Sequence, residues 1–308
     1  MAKVLIATEK PFAAVAVNGI KKIFDEAGFE TVLLEKYTDK ADLISAVTDV
    51  DAMIIRSDKA TAEVISAAKN LKIIVRAGAG YDNIDLAAAS AQKIVAMNTP
   101  GQNSNAVAEL AAGMMVFMSR QQFKGGSGNE LKGKKLGFHA YGNVPRMMAN
   151  IARGFGMECY AYDPFIPETE IAKDGVKVVK DLNELYTTCQ YVSLHIPANE
   201  QTKKSINFEL MSKMPKGATI INTARKEVIC EDSLKRMLDE RPDFKYCSDI
   251  APDCHADING KYENRYYATP KKQGAETSEA NINAGLAAAN QIVGYLKNGI
   301  TRFQVNKF

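Results

Sequence analysis

Gly142 and Asp163, 21 positions apart, have the residue types and spacing to hold a dinucleotide. They lie in KKLGFHAYGNVPRMMANIARGFGMECYAYD, Lys134 to Asp163, which reads as strand, turn, helix, strand and acid. In such a unit the free N–H groups and dipole at the helix start attract pyrophosphate, and the acid ending the second strand accepts hydrogen bonds from the adenosine ribose. An acid at that point favours NAD over NADP, whose extra phosphate it repels. The loop residues Tyr141, Gly142, Asn143 and Val144 and the acid Asp163 are therefore cofactor-binding candidates.

The loop departs from the usual three glycines, because Ala140 stands at the first position and Pro145 at the third. Gly142 keeps the second, where a side chain would most directly obstruct the phosphates. Pro145 adds bulk where helix meets strand, but in the first turn its missing N–H breaks no intrahelical bond and its fixed φ suits a helix. A phosphate-binding P-loop is excluded, since no Gly-Lys-Ser/Thr follows Gly142.

Short β-branched runs alternate with amphipathic segments along the whole chain, the pattern of parallel sheets covered by helices. The runs KVLIAT, TVLLEKY, DAMIIRS, KIIVRAG and IVAMN make a first α/β series. A long helix, NSNAVAELAAGMMVFMSRQQF, follows and ends at the flexible KGGSGNELKGK. The second series has six strands, KKLGFHA, ECYAYD, YVSLHI, ATIINTA, FKYCSDI and YYATP, the number a dinucleotide-binding sheet needs. A last helix, EANINAGLAAANQIVGYLKNG, carries its small residues at helical spacing and could pack on either domain.

The chain's 308 residues allow two domains, and 46% hydrophobic with 24% charged residues describes an ordinary globular protein. A net charge of +3 without a Lys/Arg run excludes nucleic acid as an expected partner and leaves small anions open. The five cysteines, Cys159, Cys189, Cys230, Cys247 and Cys254, have no metal-site spacing and read as reduced thiols, so no metal is expected. No membrane span or signal peptide is read in the sequence, and a cytoplasmic location is expected.

Several longer motifs carry a resemblance: RSD, RAGAGYDNIDL, NTPGQNSNAVAEL, LGFHAYGNV, YVSLHIPANEQTKKSIN and GATIINTAR. In this order over nearly the full length, they resemble the D-2-hydroxyacid dehydrogenases, nearest to the short lysine-type branch acting on 3-phosphoglycerate. The resemblance implies two doubly wound parallel-sheet α/β domains, a flavodoxin-like substrate domain with an inserted Rossmann-like NAD-binding domain. It sets their bounds at 1–98 with 280–308, and 99–279, the substrate lying in the cleft between them. It further implies a homodimer, NAD-dependent oxidation of 3-phosphoglycerate to 3-phosphohydroxypyruvate at the start of serine synthesis, and no serine feedback through a C-terminal regulatory domain.

The family's catalytic set is Arg, Glu and His. The Arg matches Arg225 in INTAR, where a guanidinium can grip substrate carboxylate and carbonyl together. The Glu position, five after Asp249, is Cys254, and the adjacent Asp253 matches poorly. The His position in ATPKKQGAETSEA falls on a lysine: direct continuation from TP favours Lys271, and counting back from EA favours Lys272. The two substitutions are consistent, because an ordinary His near pH ~6.5 benefits from a carboxylate that keeps it protonated, whereas a Lys near ~10.4 is protonated already and needs the opposite adjustment, toward neutral pH, to act as a base, which a carboxylate partner would hinder. Lys226 also departs from the family, which has Gly after the Arg.

The same carry-over makes His195, Ile196, Pro197, Thr223, Ala224 and Asp249 cofactor-binding, and Arg56, Ser57, Ala77, Gly78 and Asn103 substrate-binding. Arg76 either joins the substrate group or is structural. Two alternatives stand beside this reading. One is a related 2-hydroxy-acid dehydrogenase or glyoxylate/hydroxypyruvate reductase. The other is a non-catalytic NAD-binding or regulatory homologue, to which Pro145 and Cys254 point.

Overall fold

In the computed structural model, which describes residues Met1–Phe308, the first series forms five parallel strands. These are β1 Lys3–Thr8, β2 Glu30–Glu35, β3 Ala52–Ile55, β4 Ile73–Arg76 and β5 Val95–Asn98, in the order β2-β1-β3-β4-β5. That is the flavodoxin-like order. Strands β3 and β5 are buried throughout, which is why they read as continuous apolar runs and not as alternating ones.

The last helix, Ser278–Asn298, packs beside Ala14–Ala27 on this sheet, which resolves the choice left open by the sequence. The contact depends on small residues: a Cβ at Gly285 would come within 3.0 Å of Ile20 and 3.2 Å of Phe12. Thr277 caps the helix start by accepting from Ala280 N, and Gly299 ends it at φ 67°.

The second series forms β6 Lys135–His139, β7 Glu158–Tyr162, β8 Lys177–Val178, β9 Tyr191–Leu194, β10 Thr219–Asn222, β11 Lys245–Ser248 and β12 Tyr266–Ala268. Their order is β12-β11-β10-β9-β6-β7-β8, all parallel, so the direction of winding reverses between β9 and β6. This is the doubly wound dinucleotide-binding arrangement, with one strand more than the sequence suggested. The extra strand, β8, is two residues long, too short to show a pattern.

The chain divides into Met1–Asn103 with Thr277–Phe308, and Ser104–Glu276. These bounds follow the helices: Ser104–Ser119 belongs with the second sheet, packing its Ala and Met side chains against the helix Asn143–Gly154 and over β10 and β11, and the cap of the last helix begins the return to the first. The long helix ends earlier than its composition suggests. Gln121, Gln122 and Phe123 take positive φ instead, and the Gln122 side chain turns inward to donate to Tyr266 O at 2.8 Å.

Candidate active site

Every residue expected at the cofactor follows the C-terminal end of a second-sheet strand, the edge where open α/β sheets bind ligands. At the switch point β6 leads into Ala140, which adopts φ 75°, a left-handed conformation that glycine takes without strain. Gly142 is the opposite case. Its φ is −85°, outside the left-handed region, and a Cβ built on it meets nothing within 4 Å, so packing does not need a glycine there. Open space is what its missing side chain provides.

The helix Asn143–Gly154 starts directly after Gly142, with the N–H groups of Asn143 and Val144 in its unpaired first turn. Pro145 is buried inside that turn and the helix continues past it, so the ring is accommodated. Asp163, at the end of β7, accepts from Tyr141 N at 2.7 Å and from Phe165 N and Ile166 N at 2.8 and 3.2 Å. The expected ribose acid therefore also fixes the loop across from it. Tyr141 contributes only backbone: its side chain is fully buried, with the hydroxyl donating to Asp174 at 3.2 Å, because the ring fills the core beside Phe138.

β6 ends on the buried His139, and β9 leads into the half-buried His195. Burial holds His139 down to about 4 against the opposing pull of Asp163, and burial beside His139 holds His195 down to about 3. Both are neutral near pH 7. The Nε2 of His195 is buried without a partner, as is the hydroxyl of Thr223 after β10. Ile196 turns into the core instead of lining a ligand surface, whereas Pro197 is exposed and Ala224 half-buried.

Arg225 is presented by a turn built on Asn222. The Asn222 amide accepts from Ala224 N at 3.0 Å and donates to Arg225 O at 3.0 Å, with a second donation to the buried Tyr246 hydroxyl. The Arg225 guanidinium donates to Ala224 O at 3.0 Å and joins no ion pair, leaving its charge uncompensated within the chain. Asn222 was not singled out in the sequence. The signal was its place at a strand end three residues before the Arg.

Asp249 differs most from expectation. It is 2% exposed, and its oxygens accept from Thr269 Oγ1 at 3.1 Å, Gln273 N at 2.8 Å and Gly274 N at 2.8 Å. Its side chain is directed at the loop after β12, not at open space. Lys271 and Lys272 are exposed within that loop. Cys254 is buried, and burial with nearby Glu231 pushes its thiol up to about 11, so it carries no charge in place of the absent carboxylate. Asp253 is exposed and paired with Lys226. Two departures from the family pattern thus meet each other, while Glu231 accepts from the N–H groups of Asp253 and Cys254 at 2.6 and 2.9 Å.

In the first unit, β3 ends at Arg56 and the exposed Ser57, and β4 ends at the buried Ala77 and Gly78. The Arg56 guanidinium donates to Lys10 O and Pro11 O, each at 3.0 Å, and to Asn281 Oδ1 at 2.6 Å, over the Phe12 ring. All these partners are neutral, so its positive charge is held in place and not cancelled. Gly78 has φ 151° and lies under the Arg76 guanidinium, where any Cβ would collide. Asn103 is half-buried in the loop after β5. The sequence did not assign Asp58, which is buried and fixes the Arg56 turn by accepting from Arg56 N, Glu9 N and the Tyr37 hydroxyl.

A family profile described as D-isomer specific 2-hydroxyacid dehydrogenase, catalytic domain, matches residues 11–306. The chain belongs to this dehydrogenase family. It is 39% identical over 219 residues to a hydroxypyruvate reductase of Thermotoga maritima, covering 67% of this chain and 70% of the relative. It is 34% identical over 303 residues to a D-3-phosphoglycerate dehydrogenase of Methanocaldococcus jannaschii, covering 92% of this chain and 57% of the relative. The chain therefore spans little more than half of that relative's length. Among solved structures, the NAD+-bound 3-phosphoglycerate dehydrogenase of Entamoeba histolytica is 50% identical, with TM-score 0.88, covering 100% of this chain and 99% of that one.

The dehydrogenase's own residues pass a test of fit for a dinucleotide. Gly142 leaves open space that the fold does not use, a helix start faces it, and two polar atoms, His195 Nε2 and Thr223 Oγ1, are buried without partners at neighbouring strand ends. No cluster of His, Cys, Asp and Glu suited to a metal ion is present, and no helix is long and apolar enough to cross a membrane.

Proposed function

We propose that this dehydrogenase oxidises 3-phosphoglycerate to 3-phosphohydroxypyruvate with NAD, a reaction that opens serine synthesis, as a homodimer in the cytoplasm. The observation that carries the reading is the full-length, 50% identical likeness to an NAD+-bound phosphoglycerate dehydrogenase. Supporting it, Arg225 and Arg56 each hold a positive charge that the chain does not neutralise. Each such group suits an anionic substituent of a small substrate, a carboxylate or a phosphate.

In this reading the first-turn N–H groups of Asn143 and Val144 hold the pyrophosphate, and Asp163 takes the ribose hydroxyls. Bound NAD supplies the acceptor for the hydride leaving C2. Arg225 orients the substrate through its carboxylate and C2 oxygen. The neutral amine of Lys271 or Lys272 takes the C2 hydroxyl proton as the carbonyl forms, becoming the ammonium that returns it in the reverse direction. Arg56, Ser57, the N–H groups around Ala77 and Gly78, and Asn103 contact the anionic ends of the substrate.

The Thermotoga relative favours a second reading, reduction of hydroxypyruvate without a phosphate requirement. Comparing kcat/KM for hydroxypyruvate and its 3-phosphorylated form, each with NADH, separates the two. The proposal expects a preference for the phosphorylated form of at least about tenfold, the order of one charge-assisted contact. Equal values, or a preference for the free form, would transfer the assignment to the reductase.

A further inference from the structure

Asp249 is held in a way that assignment to the cofactor does not explain. Its backbone N–H donates to Asn222 O at 2.9 Å, fixing it to the strand end that turns into Arg225. Its buried carboxylate then reaches across to the loop after β12 and accepts from both ends of it: from Thr269 Oγ1 at 3.1 Å, and from Gln273 N and Gly274 N at 2.8 Å each. Between these two ends lie Lys271 and Lys272. All three partners donate, so the site calls for a group that only accepts. An ionised carboxylate is that group, and an amide of the same shape would turn its NH2 toward at least one N–H.

The approach is tight enough to exclude a side chain at position 274. A Cβ on Gly274 would lie 2.8 Å from Asp249 Oδ2 and 3.2 Å from a Val107 methyl. The anchor therefore needs two residues at once: the acid, and a glycine that lets the loop backbone reach it.

We propose that Asp249 is a positioning residue, acting through the loop of residues 269–274 to hold the proton-transferring lysine in register with Arg225. The inference rests on the lysine reading given above. Asp249 and Arg225 share one strand end through Asn222, so a displacement of the loop changes the distance between the two reacting groups without altering either. Such misplacement by about 1 Å lowers a rate on the order of 100-fold. The cofactor's own anchors, Gly142 and Asp163, lie at β6 and β7 and are not disturbed.

The test uses Asp249→Asn and, independently, Gly274→Ala in the full chain. NADH affinity is measured by calorimetry, steady-state kcat and KM with 3-phosphoglycerate and NAD, and amide hydrogen exchange in the segment around residues 273–274. The expected result for both variants is NADH affinity within about threefold of wild type, kcat lower by about 100-fold with little change in KM, and faster exchange in the loop. Gly274→Ala leaves the carboxylate itself intact, so agreement between the variants identifies the loop as the route. Weakened NADH binding with kcat retained at saturating cofactor overturns the proposal in favour of a direct cofactor contact. Unchanged kcat in either folded variant, or a loss of thermal stability alone, overturns it as well. Failure of the lysine reading is separately visible, because Lys271→Ala and Lys272→Ala then both keep turnover whatever Asp249 does.

Discussion

Replacing Gly142 by Ala separates what the fold needs from what the cofactor needs. The φ there is −85°, not left-handed, and the built Cβ meets nothing within 4 Å, so the folded chain has room for the methyl. Losing a glycine also narrows the unfolded ensemble, which stabilises a protein by about 0.4–1 kcal/mol where the conformation is compatible. The same methyl occupies the space assigned to the pyrophosphate, and inserting a methyl into a filled site costs about 1–3 kcal/mol. At about 1.4 kcal/mol per tenfold, the dissociation constant for NADH rises roughly 5- to 150-fold. Calorimetric titration with NADH and a thermal melt of the same variant give both readings. The expected outcome is a melting temperature unchanged or raised by a few degrees together with weaker binding. Affinity within twofold of wild type would refute the placement of the pyrophosphate, and a clear drop in melting temperature would refute the claim that the fold does not use this glycine.

Ala140 makes the contrasting prediction, because its φ of 75° is strained by about 1–2 kcal/mol for a non-glycine residue, while glycine loses about 0.5–1 kcal/mol of that through the unfolded state. Ala140→Gly is therefore expected to be more stable by about 0.5–1 kcal/mol in urea, and a destabilised variant would contradict the strain argument. Pro145→Gly is expected to leave NADH affinity within about threefold, since the helix already holds the ring; a large gain in affinity would mean the loop is impaired. Acid should weaken the protein through His139, whose value is about 4 folded against 6.5 unfolded. Its neutral form is favoured by folding, so this stability is present above about pH 6.5 and is lost as pH falls toward about 4, amounting to roughly 3 kcal/mol. Urea unfolding across that range should show the slope in wild type and a shallower one in His139→Asn; equal slopes would remove His139 from the account.

What was legible in the sequence is what depends on neighbours along the chain. The strand runs of both sheets, the Gly142 loop and Asp163 could be read because one βαβ unit holds them in a single stretch. Thr277 and Gly299 end the last helix by local capping chemistry, although which sheet it covers emerged only from its small residues meeting Phe12 and Ile20. Asp249 is read in the sequence as a cofactor-lining position, and its tie to the loop after β12 is not, because its partners lie 20 to 25 positions away and two of them are backbone N–H groups that no residue type announces. Lys226 and Asp253 looked like unrelated departures until folding paired them across 27 positions. The left-handed turn at Gln121–Phe123 had no signal, since neither glutamine nor phenylalanine prefers that backbone and the compensation comes from Tyr266, far along the chain.

The most direct test of the central claim is the rate of NADH formation from saturating 3-phosphoglycerate and NAD in wild type, Lys271→Ala and Lys272→Ala, with NADH affinity measured alongside. The account predicts turnover in the wild type and, in one of the two variants, a loss of about 100- to 10,000-fold at unchanged cofactor affinity. Full turnover in both variants would contradict the lysine mechanism, and no turnover in the wild type would contradict the assigned reaction.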